Sequence, residues 1–385
     1  MSDACFGNKS FSISQRRYLG SKTKLLNFID SILIKENADY SSFADIFGGT
    51  GVVANYFYKK ADIVINDILE SNYQSYLAFF GKGHLRISYL ENIIKEYNNL
   101  EVRKIKENYF SKNFSNTYFD SVNAKLIGYI REDIEELYTK KKINIRERSY
   151  LITSLIYALD RIANTVGHYD AYRKVNIPVK KLELKLLNIE KSKKQTHIHK
   201  LDANELVKKI KVDVVYIDPP YNSRQYGDAY HLLENIASWK KLKVFGVAKK
   251  IDRSNLKSDY CLKSAGNAFS ELIDKIDSKF ILISYNDMGT NGNVRSQSRI
   301  SDHEIVSALE RRGKVTVYEK AIGQFTTGSS SNPNLKERIF FCRVENKKRF
   351  VPSIVESEKN THLPTHVKSP LNYTGGKHKL LPQLV

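Results

Sequence analysis

The chain has 385 residues, of which 41% are hydrophobic, and this is enough to bury a sizeable core. Its 62 lysines and arginines exceed its 42 aspartates and glutamates by 20, a surplus that would attract nucleic acid unless it only solvates the surface. Three widely spaced cysteines argue against a disulfide framework, and no apolar stretch reaches the roughly 18 residues of a membrane span, so we expect a cytoplasmic globular protein.

The first predicted elements are two strands on either side of a glycine-rich turn. Residues 42–47 are mostly apolar and lead into Gly48-Gly49-Thr50-Gly51, after which the apolar pattern of residues 52–57 predicts the start of a helix. Residues 61–67 predict a second strand that ends in the acid Asp67. Together these elements predict the opening of a βαβ unit.

Two further predicted strands also end in polar groups. Residues 212–217 lead into Asp218-Pro219-Pro220-Tyr221, and residues 279–284 lead into Tyr285-Asn286-Asp287. In an open, doubly wound α/β sheet, ligands lie at the carboxyl edge of the strands. The sequence therefore predicts this fold class, with a ligand site near these strand ends.

About 140 residues separate the second predicted strand from the third, far more than one βα connection needs. Apolar side chains recur at helical spacing within this segment, at positions 126, 130, 134 and 137 and at positions 152, 155, 156, 159 and 162. Its polar parts are strongly basic, at residues 140–148 and 191–200. We therefore expect an inserted, mostly helical lobe.

The end of the sequence repeats a motif from its start. After about residue 351 the chain becomes polar and loses periodicity, which is typical of a linker. Residues 373–381 then match residues 18–26 at seven of nine positions, counting Gly and Ser as alike. The match is either a coincidence in a Lys/Leu-rich protein or, as we favour, the start of a second copy of the module.

The glycine-rich turn has the chemistry of a small-ligand site. It lacks the Lys-Ser/Thr of a P-loop and the GxGxxG spacing of a dinucleotide fold. S-adenosylmethionine fits better, because its carboxylate and ammonium suit such a turn and its ribose diol suits an acid at the end of the second strand, which is Asp67. A purely structural tight turn is the alternative. The candidate cofactor contacts in the turn are Asp45, Phe47, Gly48, Gly49 and Gly51.

The tetrad Asp218-Pro219-Pro220-Tyr221 is a more specific signal of function than the glycine-rich turn. An exocyclic base amine is a poor nucleophile because its lone pair is delocalised into the ring, so methyl transfer requires hydrogen bonds that favour a tetrahedral nitrogen. Asp218 and the Pro219 carbonyl can accept the two amine hydrogens, and the ring of Tyr221 can stack on a base that has left the duplex. A proline-stiffened structural turn is the alternative.

The order of these motifs resembles that of the Dam-like (alpha-group) adenine-N6 DNA methyltransferases. Residues 18–22, 45–51 and 66–67, the insert and the tetrad follow one another as in that family. The resemblance implies a Rossmann-like S-adenosylmethionine-dependent methyltransferase sheet with an inserted, mostly helical target recognition domain. It also implies that Tyr18 and Lys22 contact the cofactor region, that Asp67 binds the cofactor, and that Asp218 is catalytic and lies near the cofactor.

The resemblance also divides the chain into segments. The catalytic domain comprises residues 1–85 and 195–350, and residues 86–194 form the target recognition domain. Residues 351–369 are a linker, and residues 370–385 begin a truncated second methyltransferase module.

Several segments resemble the FokI-type modification enzymes more closely, namely residues 167–172, 222–226, 230–234 and 283–286. In that group two adenine methyltransferase modules are fused, and each modifies one strand of an asymmetric site. The resemblance implies base flipping and N6 methylation of adenine in a short duplex site, as part of a restriction-modification system. Double-stranded DNA is the expected partner, a cognate restriction endonuclease acting on the same site is a candidate partner, and we expect a monomer.

Four weaker candidates complete the predicted site. His168 and Tyr169 could read bases or form a packed turn, and Arg224 could hold a phosphate or a surface ion pair. Asp202 is either an acid near the adenine of the cofactor or the N-cap of a helix that runs to Ile210. The His, Cys and Asp residues show no metal-ligand spacing, and methyl transfer needs no metal.

Three other functions remain open from the sequence. The tetrad also suits cytosine N4 methylation, although those enzymes more often carry Ser where this chain has Asp218. An RNA methyltransferase that acts on a base amine is a second alternative, although the basic insert suits a duplex better. A catalytically silent nucleic-acid-binding module is the third, since the charge alone would suffice for it.

Overall fold

The computed structural model describes residues 10–174, 177, 180–220, 223–286, 300–321 and 336–345. All of them belong to one compact unit, residues 1–349. The predicted linker at residues 351–369 and the predicted second module at residues 370–385 lie outside the described residues, as does Tyr221.

Nine strands form within the described residues. They are β1 (Ser10–Phe11), β2 (Ser42–Asp45), β3 (Asp62–Asn66), β4 (Leu186–Leu187), β5 (Thr196–His199), β6 (Val214–Ile217), β7 (Phe280–Asn286), β8 (Gly313–Ala321) and β9 (Lys336–Val344). β1 pairs with β4 in a small parallel sheet. The other seven strands form one sheet in the order β5-β3-β2-β6-β7-β9-β8. The four strands predicted from the sequence are confirmed as β2, β3, β6 and β7.

The main sheet is parallel from β5 to β7, and β9 and β8 extend it in antiparallel pairs. From β2 the chain first adds β3 and β5 on one side and then crosses to add β6 and β7 on the other. This reversal of direction makes a crevice between neighbouring strand ends at the carboxyl edge, where α/β sheets bind their ligands. The predicted mixed α/β class is confirmed.

Twelve α-helices accompany the sheet in the described part of the chain. They are α1 (Leu26–Lys35), α2 (Val52–Phe57), α3 (Glu70–Phe80), α4 (Ile87–Asn98), α5 (Tyr109–Phe114), α6 (Ser121–Thr139), α7 (Ile145–Ile162), α8 (Ala203–Leu206), α9 (Tyr226–Ala229), α10 (His231–Ser238), α11 (Ala265–Lys275) and α12 (Asp302–Glu310). No helix among the described residues is long and apolar enough to cross a membrane.

The predicted insert is helical in its first two thirds. Helices α4 to α7 lie there, whereas the described residues between 163 and 195 contain no helix. The start of α7 is set by Asn144, whose side chain accepts from the N–H groups of Arg146 and Glu147, while the Glu147 side chain accepts from the N–H of Asn144. Helix α7 packs against α3 and shares one hydrophobic cluster with it and with the sheet. That residues 86–194 form a target recognition domain stays a prediction.

The central strands of the main sheet, β2, β3, β6 and β7, are buried on both faces because their residues alternate between two hydrophobic clusters. Phe43, Ile63 and Val214 face the cluster that includes α1 to α7. Ala44 and Val215, one position further along their strands, face the cluster that includes α8, α11 and α12. The carboxyl ends of these central strands hold the predicted motifs.

Candidate active site

A cleft with a cavity volume of about 90 Å³ opens at the carboxyl ends of β2, β3 and β6. The structure places three motifs around this one cavity. They are the glycine turn, residues 18–22, which we call the amino-terminal motif, and Asp218-Pro219-Pro220 of the tetrad. The predicted site residues that line it are Tyr18, Lys22, Asp45, Phe47, Gly48, Gly49, Asp67, Asp202, Asp218, Pro219 and Pro220.

The glycine turn is tightly packed against its neighbours. Gly49 and Gly51 have φ of +53° and +84°, a backbone region that favours glycine. A Cβ added to Gly48 would lie 2.6 Å from the Oη of Tyr76 and 2.9 Å from the Cγ1 of Ile65. Only glycine fits at this turn, so its backbone lines the cleft without side chains in the way.

Asp67 holds the glycine turn in place. Its Oδ2 accepts hydrogen bonds from the N–H of Gly49 at 3.0 Å and from the Nδ2 of Asn72 at 2.8 Å, and its Oδ1 accepts from the N–H of Leu69 at 2.9 Å. Burial raises the pKa of Asp67, while these donors act in the opposite direction. In this structure Asp67 therefore organises the cleft, and its predicted contact with the cofactor stays a prediction.

Tyr18 forms one wall of the cleft. Its ring stacks on the ring of Tyr230 with 4.7 Å between centroids and 5° between planes, and its Oη accepts from the Nδ2 of Asn72 at 3.2 Å. The hydroxyl of Tyr230 accepts from the N–H of Leu19 at 2.7 Å. The buried guanidinium of Arg16 lies 5.5 Å from the centre of the Tyr18 ring. The amino-terminal motif is thus held both by ring stacking and by hydrogen bonds.

Asp218 takes part in a buried group of charges. The Nζ of Lys22 lies 2.9 Å from the Oδ2 of Asp218 and 3.4 Å from the Oε1 of Glu337, so one ammonium joins two carboxylates. Burial raises the pKa of Asp218 to about 6, and Lys22 opposes that rise. Burial also acts to lower the pKa of Lys22, but its acidic neighbours, Asp218 first, outweigh this and raise it.

Asp45 is the other buried acid of the cleft. It is 1% exposed, and neither of its carboxyl oxygens has a hydrogen-bond partner of ordinary geometry among the described residues. Burial, followed by the charge of Asp218, raises its pKa to about 8, although the backbone N–H of Ala54 acts in the opposite direction. A buried acid at the wall of a cleft, with no side-chain hydrogen-bond partner among the described residues, is suited to a cationic ligand group, whose charge favours the ionised form.

The loop after β5 completes the cleft. Asp202 caps α8 by accepting from the N–H groups of Asn204 and Glu205, which confirms the predicted N-cap. It also lines the cleft, and its place near the adenine of the cofactor stays a prediction. The helix that it caps ends at Leu206, before the predicted end at Ile210. Phe47 packs edge-on against Tyr260, with 5.0 Å between ring centroids.

The three predicted DNA contacts lie outside the cleft and differ from one another. His168 and Arg224 both approach Asp170, at 3.6 Å and 3.5 Å, and Arg224 is 45% exposed. Tyr169, in contrast, is fully buried, and its hydroxyl donates to Asp160 at 2.8 Å. The prediction for Tyr169 is therefore corrected, because a side chain in this position belongs to the core and presents no atom to a duplex.

Sequence reasoning missed two residues of the site. Asn66 donates to the carbonyls of Ile46 and Leu201 and accepts from the N–H of Leu201, so it ties the β5 loop to the end of β2. Asn66 stands at the end of a predicted strand, and polar residues at strand ends are candidates for holding neighbouring loops together. Glu337 lies within β9, and no motif surrounds it that could have indicated the contact with Lys22.

Comparison with known families identifies the protein's relatives. Residues 18–291 match the family described as D12 class N6 adenine-specific DNA methyltransferase. Since the match covers more than half of the chain, the protein belongs to this family, and the resemblance found in its motifs is confirmed.

Several modification enzymes are similar over nearly the whole chain. It is 35% identical to the modification methylase StsI of Streptococcus sanguinis, over 96% of this chain and 58% of that protein. It is 34% identical to the type II methyltransferase M.FokI of Planomicrobium okeanokoites, over 96% of this chain and 59% of that protein. The type II methyltransferase M.NlaIII of Neisseria lactamica is 30% identical, over 84% of this chain and 96% of that protein. The chain thus spans less than three fifths of the length of StsI and of M.FokI.

Proposed function

We propose that this member of the D12 class transfers a methyl group from S-adenosylmethionine to the N6 amine of an adenine that has been flipped out of duplex DNA. One observation carries the proposal: Asp218 and Pro219 line the same cleft as the glycine turn. An amine that is held by the tetrad therefore lies beside a ligand that is held by the turn. The family description, which specifies N6 of adenine, favours this base over cytosine.

The residues present fit this cofactor. When bound, S-adenosylmethionine supplies an electrophilic methyl group on a sulfonium. The buried carboxyl of Asp45 suits a cationic group, and Gly48 and Gly49 line the cleft with backbone that carries no side chain. Asp67 and Asp202 are the acids available for the ribose and the adenine of the cofactor. The ring of Tyr18 supplies an aromatic wall.

The role of Asp218 is to accept a hydrogen bond from the target amine. As one hydrogen is held by a carboxylate and the other by the Pro219 carbonyl, the nitrogen becomes pyramidal and its lone pair is available for attack. This requires Asp218 to be ionised, and the ion pair with Lys22 favours that form. Methyl transfer then needs no covalent intermediate with the enzyme.

The biological setting is also a proposal. StsI is named a modification methylase, and M.FokI and M.NlaIII are named type II methyltransferases. We therefore assign this chain to a cytoplasmic restriction-modification system, in which it acts as a monomer on the site that a cognate endonuclease cleaves. The greater length of StsI and M.FokI supports the assignment of residues 370–385 to the start of a second module.

Replacing Asp218 by Ala tests the proposed function. We expect methyl transfer to fall by at least about 100-fold, because the amine loses its charged acceptor, while the cofactor still binds. Transfer of a labelled methyl group to plasmid DNA measures the rate, and calorimetric titration measures cofactor binding. Single-molecule sequencing of plasmid from cells that express the wild-type chain identifies the modified base. Full activity of D218A, or a mark on any base other than adenine, would refute the assignment.

A further inference from the structure

A basic hairpin with an apolar tip lies close to the cleft. We call residues 240–250 the lysine hairpin. The backbones of Phe245 and Lys250 exchange two hydrogen bonds, of 2.8 and 2.9 Å, and Gly246 and Lys249 have φ of +66° and +52° in the turn between them. Phe245 is 54% exposed and Val247 is 74% exposed. Two neighbouring apolar side chains thus project into solvent from a closed turn.

Charge surrounds this tip. The lysine hairpin contains five lysines and no acidic residue, its lysines being Lys240, Lys241, Lys243, Lys249 and Lys250. The Nζ of Lys243 lies 5.6 Å from the centre of the Phe245 ring. Lys241 pairs with Glu132, and Lys250 pairs with Asp170. The combination of apolar contacts with clustered cations complements a polyanion that has apolar surfaces between its charges.

The lysine hairpin is anchored to the core. The hydroxyl of Tyr118 lies 3.0 Å from the carbonyl of Ala248 and 2.7 Å from that of Tyr169, and its one hydrogen is shared between them. The hydroxyl of Tyr109 donates to the carbonyl of Leu242. Tyr118 itself is fully buried. Because both sides of the lysine hairpin are held by buried or half-buried tyrosines, the exposed tip has a fixed position and loses little conformational freedom on binding.

The base of the lysine hairpin adjoins the rim of the cleft. Lys250 lies 3.1 Å from Asp170 and 3.4 Å from Asp228, and Asp228 is two residues from Tyr226, which lines the cleft. Asp170 is also the residue that His168 and Arg224 approach. Asp228 therefore links the base of the lysine hairpin to α9, whose Tyr226 lines the cleft.

We propose that the tip of the lysine hairpin enters a groove of the duplex beside the target base, with Phe245 and Val247 against bases and sugars and the lysines against phosphates. This rests on the proposed function, since it takes duplex DNA as the substrate. Apolar side chains that enter a groove help to open a base step, and lysines beside them release counterions from the phosphates. The two kinds of contact therefore differ in their dependence on salt.

The double variant F245S/V247S, made in the full chain, tests the apolar part. We expect its affinity for a fluorescent duplex to fall at least about 10-fold, with an unchanged slope of log affinity against log salt. The variant K243Q/K249Q should instead reduce that slope by about 2, since each lost phosphate contact lowers it by about 0.9. The matched control is I34S, because Ile34 is 69% exposed on α1.

Cofactor binding and the melting temperature should stay at wild-type values in all three variants, because the changed side chains are exposed, apart from Lys249, which is half-buried. Wild-type duplex affinity in F245S/V247S would overturn the proposal. So would a loss of binding to vesicles of anionic lipid without a loss of binding to DNA. If the wild-type chain binds duplex but transfers no methyl group, the proposed function fails while the measurements on the lysine hairpin still stand.

Discussion

The two sides of the cleft are built in opposite ways. On the glycine-turn side, Asp67 accepts from the N–H of Gly49 and Asn72 donates to Asp67, and both residues lie within about 25 residues of the turn in sequence. On the tetrad side, Lys22, Asp218 and Glu337 come from three distant parts of the chain and are held by charge. The first side depends on shape and the second on electrostatic balance. Changes in volume should therefore disrupt the first side and changes in charge the second.

The largest expected effect is on the charged side. Lys22→Met keeps the length of the side chain but leaves the carboxylates of Asp218 and Glu337 buried without their common cation. Breaking such a pair costs about 3–5 kcal/mol, so the free energy of unfolding should fall by that amount in chemical denaturation. The acid limb of the methyl-transfer pH profile should also move to higher pH, because Lys22 lowers the pKa of Asp218.

Lys22→Arg is the matched control, since it keeps the charge. The contrary result is a K22M variant that is as stable as the wild type and has the same pH profile. That result would show that the ion pairs of Lys22 do not determine the stability or the pH dependence of the tetrad side, and that the two sides of the cleft are not built in opposite ways.

The next effect concerns shape on the glycine side. Gly48→Ala places a methyl group 2.6 Å from the Oη of Tyr76, and overpacking of this kind costs about 1–3 kcal/mol. We expect weaker cofactor binding in a calorimetric titration, with no shift of the pH profile. The double variant G48A/Y76F removes the closest contact and should recover part of the affinity. Equal affinities of G48A and the wild type would show that the turn tolerates volume.

The smallest effect is a shift in pH dependence. Glu337→Gln keeps the shape of the side chain and leaves Lys22 paired with Asp218. Since the charge of Glu337 raises the pKa of Asp218, which lies near 6, its removal should move the acid limb of methyl transfer to lower pH. This is opposite to the shift expected for K22M. A purely structural role of Glu337 would lower the rate at every pH and leave the limb in place.

The sequence could predict the parts of the site that are contiguous with strand ends. The glycine turn and the Asp218 tetrad follow predicted strands directly, and the carboxyl edge of a parallel sheet brings them together. Glu337 could not be found in this way, because its approach to Lys22 depends on the antiparallel register of β9 against β7. A pattern of apolar residues predicts a strand but does not specify which partner it pairs with.

The correction to Tyr169 has a similar origin. A Gly-His-Tyr-Asp loop has the composition of a surface contact, and His168 is consistent with that. Two contacts hold Tyr169 in its buried position. Its hydroxyl donates to the carboxyl of Asp160, which lies in the preceding helix α7, and its N–H donates to the carbonyl of Ala229 at 2.7 Å. Tertiary contacts determine whether such a side chain is buried, and the local sequence contains no pattern that shows it.

The contact between Lys22 and Glu337 can form only late in protein synthesis. The ribosome makes the ammonium early and its second carboxylate about 300 residues later. At typical elongation rates of about 5–20 residues per second, this interval is roughly 15 to 60 seconds. During it, the nascent polypeptide carries the lysine without the strand that completes its surroundings. The group of charges around Lys22 should therefore be complete only after β9 has left the exit tunnel.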